Sequence, residues 1–384
     1  MSIYTYWIIG VFFISAVCGF IFIPIILNFC KAKQLYDLPN ARKIHHNAVP
    51  RLGGISFMPS MFIAFAIALS AINITDKLIT INIWSLYFLI SILLIYVMGI
   101  IDDVLGLSPV IKFAVQIVAA CFLPLSGLYI NNLYGFMGIN EIPFIVGFPL
   151  TVLVIVFIDN AINLIDGIDG LAASLSIIAL GGFLYMFYTQ AVWSYAILIA
   201  GLIGVLVAFL YFNLFGDAKK NRKIFMGDSG SLTLGFILGF LCVKYSMDNP
   251  AVITEHKFDF FMAFTLLIVP MFDVVRVFMI RLYHGTSPFK ADKRHIHHKF
   301  IRAGFTQHQA LAWIIVLAVA YITANHFMLE SMSNTATFIV DVAVYIALNL
   351  ALNGVIKRKE ASHVSSFRTV GANLLSATPS CRRQ

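Results

Sequence analysis

The stretch Asn160-Ala161-Ile162-Asn163-Leu164-Ile165-Asp166-Gly167-Ile168-Asp169-Gly170 is polar and lies between two long apolar runs. Its amides and carboxylates recur every three positions, so a helical course would place Asn160, Asn163 and Asp166 along one face. No Lys or Arg stands near them in the sequence. Such groups at a membrane boundary are costly unless they bind a partner. The stretch therefore predicts a membrane protein with a polar binding site at one membrane edge.

The composition supports a membrane protein. The 384-residue chain is 60% hydrophobic and 11% charged, whereas soluble domains are about half apolar and about a quarter charged. Apolar runs of about twenty residues, each long enough to cross a bilayer, recur from end to end and predict an all-α polytopic protein with about eleven transmembrane helices. The predicted spans are 6–29, 53–73, 83–101, 110–130, 143–159, 171–190, 193–213, 229–247, 258–281, 308–329 and 336–356. The last span is the only one with no motif beside it, so ten is the alternative count.

The placement of the basic residues predicts the orientation. The net charge of +8 is concentrated in alternate loops and in the C-terminal segment, which puts these loops in the cytoplasm and the N-terminus outside. Most of the positive charge is thereby explained, and nucleic acid is not expected as a partner. We predict a multi-pass protein of the cell inner (plasma) membrane with its site at the cytoplasmic face. We predict that residues 1–356 form one transmembrane domain that contains this site, and that residues 357–384 form a mobile cytoplasmic tail.

Two acidic motifs lie at predicted span ends. Asp102 and Asp103 are adjacent carboxylates, which repel unless a cation or proton lies between them, although a solvated helix end is an alternative. Lys112 follows and could neutralise the pair or hold a phosphate. The motif Gly227-Asp228-Ser229-Gly230-Ser231 is a tight turn that enters a helix, and its oxygen ligands suit Mg²⁺ bound with substrate phosphates. A serine-hydrolase nucleophile is disfavoured because the surroundings are helical.

Two basic segments suit phosphate. The loop from Asp37 to Gly54 carries Lys43 and ends in a Gly-Gly pair at a helix start; a stop-transfer charge cluster is the alternative. In His295-Ile296-His297-His298 the spacing is cramped for one tetrahedral zinc ion and no Cys supports it, so imidazole and guanidinium donors to a diphosphate fit better.

Asp273 and Arg276 stand three residues apart and predict an ion pair within the membrane. Neither a P-loop nor a dinucleotide-binding glycine motif occurs.

Taken together, these motifs resemble the polyprenyl-phosphate N-acetylhexosamine-1-phosphate transferases of glycosyltransferase family 4. The resemblance covers residues 35 to 305 and includes the motifs around Asp102, Asn160 to Gly170, Asp228 and His295. The motif His295-Ile296-His297-His298 resembles that of the family branch that begins O-antigen, capsule or teichoic-acid synthesis. The resemblance implies transfer of a phospho-N-acetylhexosamine from a UDP-sugar to undecaprenyl phosphate, with release of UMP. The leading candidate for the transferred group is GlcNAc-1-phosphate. It implies Mg²⁺ as the cofactor, with Mn²⁺ as an alternative, and leaves a homodimer open.

The resemblance also implies roles for individual residues. The metal ligand would be Asp228, with Asp102 and Asp103 as further candidates. The catalytic group would comprise Asp102, Asp103, Asp166 and Asp169. The substrate-binding group would comprise Lys43, Lys112, Asn160, Asn163, Arg294, His295, His297 and His298.

A different class of function competes with the enzyme. A secondary transporter, or a flippase for lipid-linked sugars, would also use intramembrane carboxylates. Such carboxylates should lie near the middle of the membrane and face a pathway. The acids here stand at one predicted boundary, and no internal repeat is visible, so the sequence favours the enzyme.

Overall fold

The computed structural model describes residues 3–37, 49–75, 83–220, 222–249, 259–287 and 293–376. The α-helices in these ranges are α1 Ile3–Lys33, α2 Phe57–Thr75, α3 Ile83–Leu105, α4 Pro109–Leu125, α5 Phe144–Ile165, α6 Leu171–Thr189, α7 Trp193–Leu214, α8 Gly227–Ser246, α9 Asp259–Thr265, α10 Ile268–Tyr283, α11 Ile296–Ala303, α12 Gln307–Met328 and α13 Asn334–Ser376. Short 3₁₀ helices occupy Gly53–Ser56 and Ala218–Lys220. The strands are β1 Tyr36–Asp37, β2 Val49–Pro50, β3 Asn132–Phe136 and β4 Ile139–Glu141, and they form two antiparallel pairs, β1 with β2 and β3 with β4.

The predicted all-α polytopic membrane fold is confirmed. Within the described ranges, nine helices are long and apolar enough to cross a membrane, and α4 is a shorter apolar helix. The predicted span 258–281 is divided into α9 and α10. Pro270 has no N–H to donate to the carbonyl of Leu266, and the helix is interrupted at Leu266 and Leu267. The count of eleven spans and their orientation stay predictions.

Helix α8 lies at the centre of the bundle, and every residue from Ser229 to Ser246 is buried. It packs chiefly against α3 and α5. At Gly99 of α3, an added methyl group would lie 2.6 Å from the Ser229 Cα atom, so a glycine is needed for this close approach. Small residues serve the same purpose between membrane helices generally. The start of α8 is therefore fixed against the end of α3 that carries the paired acids.

The chain before α2 is also fixed to the start of α8. The Phe225 N–H donates to the Pro50 carbonyl at 2.7 Å, and the Gly53 N–H donates to the Phe225 carbonyl at 2.9 Å. The β1–β2 pair joins the two ends of the first loop just upstream. These bonds bring the end of the first loop to the same end of the bundle as Asp228.

The last helix, α13, continues to Ser376, well past residue 357, where the tail was predicted to begin. Arg302 of α11 forms an exposed ion pair with Glu360 of α13 at 2.8 Å. The first part of the predicted tail is thus helical. Its mobility stays a prediction, and residues 377–384 lie outside the described ranges.

Candidate active site

A cavity of about 390 Å³ opens where the ends of α3, α5, α8 and α12 meet. Five Asp residues contribute to its wall. The polar lining residues are Arg51, Asp102, Asp103, Asn163, Asp166, Asp169, Asn213, Asp228, Ser231, His298 and Gln307. Acids from three separate sequence motifs therefore share one site.

Asp228 stands in the first turn of α8, where the positive end of the helix dipole favours negative charge. Lys112 Nζ of α4 lies 2.8 Å from Asp228 Oδ2, and Asn163 Nδ2 of α5 donates to Oδ1 at 2.9 Å. Gly227, the residue before it, has a φ of +71° and lies directly against the Arg51 carbonyl. Only glycine adopts this conformation there without strain. Three helices thus fix the Asp228 carboxylate.

Asp102 faces Lys112. Lys112 Nζ lies 3.0 Å from Asp102 Oδ2, and the Leu107 N–H donates to Oδ1 at 2.6 Å. One ammonium group therefore bridges Asp102 and Asp228. Of the adjacent acids, Lys112 therefore pairs with Asp102 alone, whereas Asp103 accepts backbone N–H groups.

Asp103 faces the start of α8. Its Oδ1 accepts the Asp228 N–H and its Oδ2 accepts the Ser229 N–H, both at 2.9 Å. This is the arrangement of a helix N-cap, supplied here from another helix. The two carboxylate oxygens hold the backbone of Asp228 and of Ser229. Asp103 thus contributes to the site by positioning, and its predicted catalytic or metal-binding role stays a prediction.

The stretch from Asn160 to Gly170 is divided by the end of α5 at Ile165. Asn160 Nδ2 donates to Gln116 Oε1 of α4 at 2.9 Å and does not line the cavity. Asn163 reaches Asp228, and Asp166 follows the last helical turn at the cavity wall. Of the three residues expected on one helix face, Asn163 and Asp166 line the cavity. Asn160 instead forms a hydrogen bond that joins α5 to α4.

The two Asp residues of this stretch have different surroundings. Lys223 Nζ lies 2.6 Å from Asp169 Oδ2, so the compensating charge missing from the local sequence comes from the loop before α8. Asp166 receives no hydrogen bond from the described residues. Burial and the negative charges of Asp228, Asp169 and Asp103 raise the pKa of Asp166 to about 7. A cation near Asp166 would relieve this repulsion.

The His segment is anchored by Asp273. Arg276 Nη2 lies 2.6 Å from Asp273 Oδ1, which confirms the predicted ion pair. His295 Nδ1 lies 2.8 Å from Asp273 Oδ2, and the Ile296 N–H donates to Oδ1 at 2.9 Å. Arg276 also donates to the Arg294 carbonyl at 2.6 Å. His295 and Arg294 therefore lie behind the cavity wall, where Asp273 fixes the start of α11.

The next two imidazoles differ in exposure. His297 is buried, with its ring packed directly on Gly167. Burial and the neighbouring His298 lower the pKa of His297 to about 3, so this ring is neutral at physiological pH. His298 lines the cavity. Of the three, His298 has direct access to a ligand in the cavity, and the phosphate contacts expected of the other two stay predictions.

Several site residues carried no clear sequence signal. Asn213 Oδ1 accepts the Gly170 N–H at 2.6 Å, and its Nδ2 donates to the Ile224 carbonyl at 2.8 Å. Asn213 thereby joins two loops of the cavity, and the one available signal was an amide at the end of an apolar run. Gln307 at the start of α12 had none. Lys43, predicted to bind substrate, lies outside the described residues.

The donor set at the cavity fits Mg²⁺. No three His, Cys, Asp or Glu side chains form a ready-made metal cluster in the described part of the chain. Mg²⁺ does not require one, because it commonly binds through one or two carboxylates together with waters and substrate phosphates. Asp166, without a donor and opposite other carboxylates, and Asp228 supply such oxygens.

Comparison with known proteins identifies the family. The model of glycosyl transferase family 4 matches residues 85–246. The chain is 31% identical over 331 residues to the undecaprenyl-phosphate alpha-N-acetylglucosaminyl 1-phosphate transferase of Yersinia pestis, covering 84% of each chain. The chain belongs to glycosyl transferase family 4. The expected family is confirmed, and so is the expectation that the protein is a transferase enzyme.

Two further relatives have names of the same kind. The enzyme of the same name from Escherichia coli K12 is 31% identical over 319 residues, covering 81% of this chain and 82% of its own. A probable undecaprenyl-phosphate N-acetylglucosaminyl 1-phosphate transferase from Bacillus subtilis is 30% identical over 326 residues, covering 82% and 83%. The family match runs from α3 to α8 and includes Asp102, Asp166 and Asp228. The His segment and α13 lie beyond it.

Proposed function

We propose that this protein transfers GlcNAc-1-phosphate from UDP-GlcNAc to undecaprenyl phosphate and releases UMP. The lipid diphosphate product would start a cell-surface polysaccharide of the O-antigen, capsule or teichoic-acid type. The observation that carries the proposal is that Asp228 and Asp166 line one cavity at the end of a membrane bundle, where Lys112 is bonded to Asp228. The names of the family 4 relatives, which specify undecaprenyl phosphate and N-acetylglucosaminyl 1-phosphate, support it.

The reaction is a phosphoryl-type transfer between two anions. An oxygen of the acceptor phosphate attacks the phosphorus that bears the sugar. A new P–O bond forms as the bond to the UMP phosphate breaks, and UMP leaves with the electron pair of that bond. A phosphate monoester has its second pKa near about 6, so the acceptor is largely ionised at neutral pH and needs little help from a base. The main task of the site is to offset negative charge.

The side chains around the cavity are suited to this task. Lys112 supplies a positive charge at the centre of the acidic cluster, and Asp102 holds its ammonium group in place. Arg51 and His298 line the same cavity and would contact phosphate oxygens. The volume of about 390 Å³ is within the range of small-molecule sites, about 300 to 1,000 Å³. Asn163 and Asp169 would orient the nucleotide sugar.

We assign the metal to Asp228 and Asp166, with Mg²⁺ as the ion and Mn²⁺ as its alternative. When bound, the ion would neutralise the diphosphate and make UMP a better leaving group. The Asp103 cap keeps the backbone of Asp228 fixed whether or not the ion is present. This assignment is supported by the absence of a hydrogen-bond donor for Asp166 among the described residues.

We further propose that the cavity faces the cytoplasm from the inner (plasma) membrane. Lys112, Lys223 and Arg302 stand at the same end of the bundle as the cavity, and basic loops are retained on the cytoplasmic side. A soluble UDP-sugar would reach the site from that side. The carboxylates line one end of the bundle, which does not favour the transporter or flippase alternative.

The experiment that tests the function is a UMP-release assay. The purified protein in lipid nanodiscs is incubated with Mg²⁺, undecaprenyl phosphate and a panel of UDP-N-acetylhexosamines. We expect UMP release with UDP-GlcNAc that depends on both the lipid and the ion, and that Asp228→Asn abolishes. Folded wild-type protein that releases no UMP from any donor of the panel would refute the proposal.

A further inference from the structure

The last membrane helix, α13, carries two polar side chains that face the His segment. Tyr345 and Asn349 are 5% and 7% exposed, and they lie in a helix that is long and apolar enough to cross a membrane. They stand one helical turn apart, so they share a face of α13. Asn349 Nδ2 donates to the Tyr345 carbonyl at 2.9 Å, which fixes the amide orientation and turns its oxygen outward from α13. Buried polar groups within a membrane need a partner or a function.

Asn349 binds the residue that follows His298. Lys299 Nζ donates to Asn349 Oδ1 at 2.7 Å, and Lys299 is itself 7% exposed. Helix α11, which carries Lys299 and His298, has only eight residues. Isolated helices shorter than about 12 to 15 residues are marginal in water, so α11 depends on contacts with its neighbours. The Lys299–Asn349 bond is a buried polar contact that ties it to α13.

Tyr345 makes a second link to the same segment. Its hydroxyl lies 3.3 Å from Asp273 Oδ1, and Asp273 in turn binds His295 Nδ1 at 2.8 Å. The two ends of the His segment are therefore held by one face of α13, through Asp273 at its start and through Lys299 after it. Between these two points stands His298, which lines the cavity.

We propose that Asn349, supported by Tyr345, is a positioning residue that holds α11 so that His298 stays in the cavity wall. Asn349 touches no substrate in this account and acts through Lys299. The inference rests on the proposed function, because it assigns His298 to the phosphates of the UDP-sugar. It gives the last span, which lies beyond the family match, an indirect part in donor binding through Lys299.

The side-chain oxygen of Asn349 accepts the hydrogen bond from Lys299, so the test variants either remove or keep an acceptor at this position. Asn349→Leu removes the acceptor at similar volume and leaves the Lys299 ammonium group buried without it. We expect about a tenfold rise in KM for UDP-GlcNAc, which corresponds to 1.4 kcal/mol and lies within the range for a typical intramolecular hydrogen bond. KM for undecaprenyl phosphate should stay unchanged. Asn349→Asp keeps an acceptor for Lys299 and should restore donor binding.

The matched control is Asn353→Leu, one turn further along α13, where the same residue type is exposed. This variant should behave as wild type. Lys299→Met removes the other half of the bond and should raise the donor KM to a similar extent. Because the two residues act as a pair, the double variant Asn349→Leu/Lys299→Met should cost no more than the worse single variant. If Asn349→Leu does not yield folded protein, Lys299→Met must show the same selective rise.

The outcomes separate this inference from the function itself. Wild-type protein that releases no UMP refutes the proposed function. Active wild type, together with an Asn349→Leu variant that matches the Asn353→Leu control, refutes the positioning role alone. Equal rises in both KM values, or failure of Asn349→Asp to restore the donor KM, would show a general structural role and would also overturn the inference.

Discussion

Lys112 Nζ lies 2.8 Å from Asp228 Oδ2, and the same ammonium group lies 3.0 Å from Asp102 Oδ2. One cation from α4 thus joins the acid at the end of α3 to the acid at the start of α8. This bridge sets the charge of the cavity, because it offsets two carboxylates where two anionic substrates have to meet. It also makes the effect of removing the cation predictable.

Replacing Lys112 with Met should reduce kcat/KM by about 10² to 10³, the range seen when one preorganised charge-stabilising donor is removed. The variant leaves Asp102 and Asp228 without the ammonium group that bridges them, so both carboxylates would repel the incoming phosphates. Steady-state UMP release measures the loss. Lys220→Met is the control, because Lys220 is an exposed lysine that does not line the cavity. Equal activity of the two variants would contradict the role of Lys112.

The adjacent acids Asp102 and Asp103 should respond differently to the same change. Asp103→Asn places an amide NH₂ opposite a helix N–H, so it should lower the free energy of unfolding by about 1 to 3 kcal/mol as well as the activity. Asp102→Asn should lower activity with a smaller loss of stability, since its main partner is the partly exposed Lys112. Thermal unfolding and UMP release, measured on both variants, test this. A greater loss of stability in Asp102→Asn would contradict the capping assignment.

The sequence predicted the location of most of the site. Asp102, Asn163, Asp166 and Asp228 were predictable because a carboxylate or amide beside an apolar run needs a partner, and the alternating loops put all four at one membrane face. The structure brings them to a single cavity. Their individual partners depend on tertiary contacts, and sequence spacing does not specify these.

Asn160 and Asn163 show why the spacing was insufficient. Three residues of an α-helix turn through about 300°, so the two amides point about 60° apart. That difference directs Asn160 to Gln116 of α4 and Asn163 to Asp228 of α8. Asn349 is a similar case, since its partner Lys299 is 50 residues away and a lone amide in an apolar span identifies no partner.

Gly167→Ala should impair the site, because the added methyl group would overlap the His297 ring. The ring is buried, so either α11 or the loop after α5 has to move, and both carry cavity residues. We expect lower activity and a lower melting temperature. Gly181→Ala is the matched control: nothing lies near the added methyl group, and replacing a helical Gly should stabilise by about 0.5 to 1 kcal/mol. A neutral Gly167→Ala variant would show that His297 can move freely.

The Lys299 ammonium group should make stability depend on pH in the alkaline range. Burial, together with the nearby Arg276 guanidinium, lowers the pKa of Lys299 from 10.5 to about 8. Between these values the unfolded chain binds a proton that the folded protein does not, so stability should rise with pH. The free energy of unfolding of wild type, relative to Lys299→Met, should therefore increase from pH 8 to pH 10.5 in denaturant titrations. A difference that stays constant or falls would contradict the shifted pKa.

The central claim is that the sugar moves together with its phosphate, at the cavity built around Asp228. It is tested most directly with UDP-GlcNAc that carries a radioactive label in one phosphate at a time, and with undecaprenyl phosphate in nanodiscs. We predict that label in the sugar-bearing phosphate passes to the lipid, that label in the other phosphate leaves as UMP, and that Asp228→Asn abolishes both. Label from the sugar-bearing phosphate that remains in soluble nucleotide, or equal transfer by Asp228→Asn, would contradict the claim.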